Sequence, residues 1–263
     1  MNHRITKLLC MSAALIGVAC IDMSAPGGAA SISTLQLPSP SVVVGDVMRD
    51  SNGAPAPLSV IAYDANNNPI SGLSGQFYIS DSTHAAHLDP GNIVVGDKIG
   101  ASRIIGQIGS LQTAALTVPV TYAPDHLTRG TVADSVLAPL GRDSATSIGT
   151  LVLPVSVRSV NDSASQGFIV SYVISHAPAT ATSSKSPAVY LTSDNGRLAT
   201  SDTSDVVGAT SPKLVVNSFE LSARDTIYAG TKTDSVVVLA SAKYKGVLLA
   251  GSPVRFVVRV IVK

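Results

Sequence analysis

Beyond residue 30, segments whose apolar residues recur at every second position are common, and no ten-residue stretch repeats them at a helical spacing near 3.6. Leu116, Val118, Val120 and Tyr122 alternate with Thr117, Pro119 and Thr121. Leu151, Leu153, Val155 and Val157 alternate with Val152, Pro154, Ser156 and Arg158. Val254, Phe256, Val258, Val260 and Val262 alternate with Arg255, Val257, Arg259, Ile261 and Lys263. Successive side chains of a strand point to opposite faces, so each run predicts a strand with one buried and one wetted face. Pro119 and Pro154 carry no N–H for a ladder, which places their strands at sheet edges. Asn66-Asn67-Asn68-Pro69, Asp89-Pro90-Gly91 and Asp194-Asn195-Gly196 supply the turns between runs at the spacing of a β-sandwich.

The chain repeats itself. Residues 58–81 align without gaps to residues 153–176, an offset of 95. Identities fall at Leu58/Leu153, Val60/Val155, Asn66/Asn161, Gly72/Gly167, Ile79/Ile174 and Ser80/Ser175. Two further echoes keep the same order: Asp89–Ile93 with Asp194–Leu198, and Gly100-Ala101-Ser102 with Gly208-Ala209-Thr210. The reading is two copies of one domain, residues 34–122 and 126–263, joined by Ala123-Pro124-Asp125. The second copy is longer, mainly through residues 177–188 and 217–233. Counting strands from residue 130 puts these two loops and residues 138–149 together, at the end of the second domain farthest from the N-terminus. Long loops on a rigid scaffold are where contacts with a partner are expected.

The first twenty residues follow a different rule. His3, Arg4 and Lys7 precede a mostly apolar run from Leu8 to Ala19. Crossing a membrane takes about 20 such residues, so this run has the proportions of an export signal. Gly17-Val18-Ala19-Cys20 resembles the lipobox of bacterial lipoproteins, although Gly17 stands where Leu is usual. That resemblance implies a signal peptide at 1–19, an acylated Cys20 as mature N-terminus, and a partner in the membrane itself. Ile21, in place of the Asp that retains such proteins at the inner membrane, directs the chain toward the outer membrane or cell surface. The alternative is a plain secretory signal cut after Ala19, with Cys20 a bystander. Residues 20–33, rich in Gly, Ala, Ser and Pro, read as a flexible tether.

Composition narrows the class. Hydrophobic residues make up 45% and charged residues 13%, enough to bury real cores. Trp is absent and aromatics are 4%, so those cores rest on branched aliphatics. Without Arg4 and Lys7 the chain holds 16 basic and 17 acidic residues, a net charge of −1, which gives no case for nucleic acid. Cys10 and Cys20 are the only cysteines, so the exported domains have no disulfide and hold by packing.

The turn and core patterns are similar to the bacterial Ig-like domains of invasin- and intimin-type surface proteins. In the first copy the likeness lies in Val42–Asp46, Ala62–Ile70 and Gly91–Val94 with Gly100–Ile104; in the second, in Leu191–Gly196 and Asp234–Ala240. The resemblance implies an all-β fold of two tandem immunoglobulin-like β-sandwiches and a spacer or adhesive role at the cell surface. Candidate chemistry is weak beside it. Asp81, His84, His87 and Asp89 read as solvated loop residues, and Asp64, Asn66 and Asn68 imitate a calcium loop whose sixth and twelfth places hold Pro69 and Gly75. There is no Gly-x-Ser-x-Gly elbow, no phosphate-binding Gly loop and no cysteine after Cys20, so catalytic, cofactor and metal residues are none. The expected function is a non-catalytic envelope lipoprotein for interaction, adhesion or spacing, with a protein or glycan ligand. The alternative is a soluble secreted or periplasmic module for polysaccharide, which would need Tyr63, Tyr190 or Tyr244 exposed in a groove.

Overall fold

A computed structural model describes residues 31–184, 186–230 and 234–263. Cys20 and the stretches read as signal and tether up to residue 30 lie outside the described residues. In the N-terminal half the strands are β1 (Ser31–Gln36), β2 (Val42–Val43), β3 (Ser59–Tyr63), β4 (Pro69–Ile70), β5 (Gln76–Ile79), β6 (Ala86–Leu88), β7 (Val94–Gly96), β8 (Gly100–Ile108), β9 (Leu111–Gln112) and β10 (Leu116–Thr121). β1 begins at Ser31, inside the stretch read as a tether. The C-terminal half holds β11 (His126–Arg129), β12 (Ser135–Ala138), β13 (Ile148–Val152), β14 (Val155–Arg158), β15 (Ile169–His176), β16 (Val189–Thr192), β17 (Ser201–Thr203), β18 (Ala209–Thr210) and β19 (Lys213–Asn217). It continues with a 3-10 turn at Ser218–Glu220, α1 (Arg224–Tyr228), β20 (Asp234–Tyr244), β21 (Val247–Leu248) and β22 (Val254–Val262).

Each half carries the same sheet plan. One sheet runs β2-β10-β8-β5 in the first half and β12-β22-β20-β15-β17 in the second. In both, the last long strand pairs antiparallel with the preceding long strand, β8 or β20, and parallel with a short early strand. The opposing strands are β1-β3-β4 in the first half, and β11-β14-β18 with β13-β19-β16 in the second. This is the immunoglobulin-like sandwich, twice in tandem. Among the described residues every strand pairing stays within one half.

The alternation seen in sequence closes the cores. On β22 Val254, Phe256, Val258, Val260 and Val262 are all buried, while Arg255, Val257 and Arg259 face out. They meet Leu153, Val155, Val157, Leu214, Val216 and the fully buried Tyr172. The Tyr172 hydroxyl is 2.6 Å from the Thr210 hydroxyl, which satisfies the one polar atom of this otherwise apolar ring. The N-terminal core is separate, built on Met48, Leu58, Val94, Ile104, Val118 and Val120.

A five-residue turn recurs between strands. Its first residue accepts the fourth residue's N–H on its carbonyl, and donates its own N–H to the fifth residue's carbonyl. Asp50, Asp64, Asp89 and Asp205 open such turns, and each also accepts the N–H groups of residues three and five on Oδ1. Ser159 and Ser193 open two more. The fourth residue has positive φ, as at Asn67 (64°), Asn92 (59°) and Asp162 (60°). Asn, Asp and Gly tolerate that conformation best, and a carboxylate satisfies two N–H groups the turn would otherwise orphan.

The offset of 95 residues is a repeat of backbone as well as of letters. Asn67 and Asp162 take φ of 64° and 60°, and Gly72 and Gly167 take 79° and 80°. Three finer expectations need correction. Asp89 opens its turn whereas Ser193, not Asp194, opens the matching one, so that echo is displaced by one residue. Gly100–Ser102 begins β8 in the sheet of β10, while Ala209–Thr210 pairs with β14 in the opposite sheet. A Gly-Ala-hydroxyl triplet suits any turn-to-strand junction, so it did not mark equivalent places. Neither proline lies on an edge strand in the simple sense. β10 is flanked by β8 and β2, and its pairing with β2 starts at Val120, one residue past Pro119. Pro154 sits in the break between β13, which pairs with β19, and β14, which pairs with β11 and β18. A missing N–H is tolerated where a strand changes partners.

Candidate functional site

The residues singled out for chemistry do not converge. Asp81 accepts N–H groups of Thr83 at 2.9 Å and Arg103 at 2.5 Å, and the Thr83 hydroxyl, so it ties its loop to β8. The Thr83 hydroxyl and these N–H groups hold its carboxyl below the usual range. His87 Nδ1 lies 2.9 Å from both Asp97 oxygens, Asp89 serves its own turn, and His84 is exposed with φ 48°. Asp64 is likewise consumed by its turn, its carboxyl lowered first by the Asn68 N–H, then by the Asn68 amide. Among the described residues no three His, Cys, Asp or Glu side chains are grouped as for a metal ion.

What the fold does bring together lies at the two ends of the C-terminal half. At one end the three long loops meet. Asn217 Nδ2 donates to the Ser144 hydroxyl at 2.6 Å and to its carbonyl at 3.3 Å, while Asn217 Oδ1 accepts the Phe219 N–H at 3.1 Å. Ser218 donates its hydroxyl to the Pro139 carbonyl, and its N–H to Ser147 O at 2.9 Å. Residues 177–188 join through Ala181 N–H to Glu220 O at 2.7 Å and Ser222 N–H to Ala179 O at 2.9 Å. Asn217, Ser218 and Ser147 are buried, and Leu221 and Ile227 are sunk in the core, so the loops are fixed from below. Outward, Phe219 is 41% exposed with the Arg224 guanidinium 5.6 Å from its ring centre, and Tyr228 and Leu140 on the same set of loops are exposed too. Sequence pattern showed the loop lengths; the buried Asn and Ser that join them look like ordinary loop polars until the loops meet.

At the other end the half meets its neighbour. β20 runs from Asp234, after the tip loop, to Tyr244 at the junction, so tip and junction are roughly 35 Å apart along the strand. There Asp46, from the N-terminal half, has a side chain only 13% exposed. It accepts Val47 N–H at 2.9 Å, and Arg49 Nε and Nη2 at 3.0 and 2.8 Å. From the other half it accepts the Tyr244 hydroxyl at 2.5 Å and lies 3.0 Å from Lys245 Nζ. Burial pushes the carboxyl up, but the bonds from Arg49, Tyr244 and Lys245 outweigh it and hold it well below the usual carboxylate range. Burial first, then the Asp46 carboxylate, pushes the Tyr244 hydroxyl well up, so it stays a donor. Phe168 packs edge-on against Tyr244, ring centres 6.0 Å apart.

Main chains also close on each other. A Cβ on Gly53 would sit 2.4 Å from Gly246 N, and one on Gly167 would sit 2.4 Å from Ser41 Cβ. Gln166 donates its N–H to the Thr121 hydroxyl at 2.9 Å. Beside this contact a cleft of about 340 Å³ is lined by Val42, Arg49, Ser171, Ser241 and Lys243 as well as Tyr244. Tyr63, Tyr190 and Tyr244 are all half-buried, and Tyr244 alone of the three lines this cleft. Asp46 and Tyr244 are 198 residues apart, a pairing no local pattern could announce.

No family model and no curated protein matches the chain. Among solved structures, domains 4 and 5 of the S-layer protein SbsC share 13% identity over 88% of this chain and 100% of theirs, with a TM-score of 0.32. The Yersinia pseudotuberculosis adhesin InvE shares 17% identity over 88% of this chain and 60% of its own, with a TM-score of 0.33. The Escherichia coli adhesin FdeC shares 14% identity over 87% of this chain and 65% of its own, with a TM-score of 0.31.

Proposed function

We propose that the chain is an exported, non-catalytic surface module: a lipid-anchored stalk of two domains, residues 34–122 and 126–263, that presents an adhesive tip. The observation that carries this is the tip itself. Three loops are held by buried Asn217, Ser218 and Ser147, and they present an aromatic–arginine pair, Phe219 and Arg224, at the end opposite the other half. Aromatic and arginine side chains dominate the energetics of protein interfaces, and a rigid loop loses little entropy on binding. The anchor is acylated Cys20, following the lipobox-like Gly17–Cys20.

Two measurements test this reading. Mass spectrometry of the mature N-terminus should find a diacylglyceryl Cys20; an unmodified cysteine overturns the anchor. Beads coated with the chain should bind host or bacterial cells, and binding should drop at least tenfold in Phe219→Ala and Arg224→Ala. Equal binding by both variants overturns the adhesive tip. A second reading, a soluble module for polysaccharide, draws on the junction cleft, where Tyr244 and Phe168 offer ring edges beside Ser171 and Ser241. Binding to a glycan array that survives Phe219→Ala but falls in Ser171→Tyr would favour it.

A further inference from the structure

We infer that the Asp46 cluster is a latch that fixes the angle between the two halves, so that the chain behaves as one stiff rod; this rests on the two-domain reading and goes beyond it. The contact is built by two turns. One is the Asp50 turn of the N-terminal half, preceded by Asp46 and Arg49. The other is the end of β20 and the turn after it, which present Tyr244, then Lys245 and Gly246.

Three observations separate a latch from an incidental touch. First, the shared carboxylate is completed from both sides. Arg49 and Val47 donate from its own half, Tyr244 and Lys245 from the other, so opening the junction strips Asp46 of two of its donors. In the closed junction the Asp46 side chain is 13% exposed, so its donors there are protein groups and not bulk water. Second, the junction is close-packed at main-chain level. Gly53 against Gly246 and Gly167 against Ser41 leave no room for a Cβ, so the halves meet at one separation and not a range of them. Gly53 and Gly167 also have φ of 87° and 80°, where glycine carries no strain. Third, a separate hydrogen bond, Gln166 N–H to the Thr121 hydroxyl, braces the same face from the end of β10. Together the Asp46 cluster, the glycine contacts and the Gln166–Thr121 bond take up the hinge freedom that a short linker leaves.

The test uses the full chain and two readouts. In hydrogen exchange, peptides covering residues 41–53, 164–168 and 244–250 should be protected in the native protein. They should exchange at least tenfold faster in Tyr244→Phe and in Gly53→Ala, while β8 and β22 keep their protection. Small-angle X-ray scattering should give one narrow distribution of end-to-end dimensions for the native chain and a broader one for both variants. Unchanged exchange and scattering in Tyr244→Phe, which removes a single hydroxyl, overturns the latch. So does a broad distribution in the native chain. If β8 and β22 lose protection together with the junction, the halves form one cooperative unit and the two-domain reading fails with it. Arg224→Ala at the tip serves as the control that should move neither readout.

Discussion

The two ends of the C-terminal half are fixed by different means. At the junction a carboxylate gathers donors from two halves and glycines let main chains touch. At the tip, neutral Asn217 and Ser218 donate to oxygens on loops of the same half, the Ser144 hydroxyl and carbonyl and the Pro139 carbonyl. A buried charge needs several strong partners, and here two of them, Tyr244 and Lys245, come from the other sandwich while Val47 and Arg49 come from its own; a buried amide is satisfied by whatever main chain lies near. The junction therefore depends on its neighbour, whereas the tip is complete within its own half. An end that needs no partner for its own stability is free to offer exposed groups such as Phe219 to something else.

That contrast can be broken at either end. The largest effect is expected from Asn217→Ala, which leaves the Ser144 hydroxyl and the Phe219 N–H without their partner. Thermal unfolding should show a loss of about 2–3 kcal/mol; a loss below about 0.5 kcal/mol would mean water replaces the amide and the tip is not self-supporting. Next comes Asp46→Asn. The folded carboxyl titrates below its ordinary value of 3.8, so its contribution is fully present above about pH 4. It is lost as pH falls through the depressed folded value. The variant should therefore be about 1–2 kcal/mol less stable at pH 7, with the gap closing on acidification below about pH 4. A gap that is constant with pH would remove the charge from the account of the junction.

Gly53→Ala should cost about 1 kcal/mol through its positive φ, and it should wedge the junction against the main chain of Lys245 and Gly246. If denaturant unfolding of the C-terminal core shifts as far as that of the N-terminal core, the two halves are not independent. The smallest stability effect belongs to Phe219→Ala, within about 0.5 kcal/mol, because the ring is exposed. A larger loss by calorimetry would make Phe219 a structural residue and not a contact offered to a partner.

Much of the fold could be read in the chain because alternation and turn chemistry are local. The five buried positions of β22 fall where period two puts them, and Asn67 and Asp162 stand where a left-handed residue was needed. Proline was the misleading letter. Pro154 marks a strand that changes partners, and absence of an N–H is equally tolerated there and at an edge. The loops at 138–149, 177–188 and 217–233 were visible as insertions, but the Asn217–Ser144 bond that unites two of them spans 73 residues. Asp46 ends a stretch that carries the Ig-like likeness and Tyr244 is one of three tyrosines a glycan groove would need, and nothing in either neighbourhood points to the other. Pairings across halves are set by tertiary geometry, which a single sequence does not display.

The parallel pairing of early and late strands has a mechanical meaning. In the C-terminal half β12 and β22 run side by side over four registered pairs, from Ser135↔Arg259 to Ala138↔Val262, whereas β2 and β10 share two, Val42↔Val120 and Val43↔Thr121. Tension drawn along these strands loads such a ladder in shear, so its bonds must fail together and not one after another like a zipper. Forced rupture is governed by the unfolding barrier and not by equilibrium stability. Under a pull on the two ends of the chain, the N-terminal sandwich with its shorter clamp should yield at lower force, extending while the C-terminal loops keep their shape.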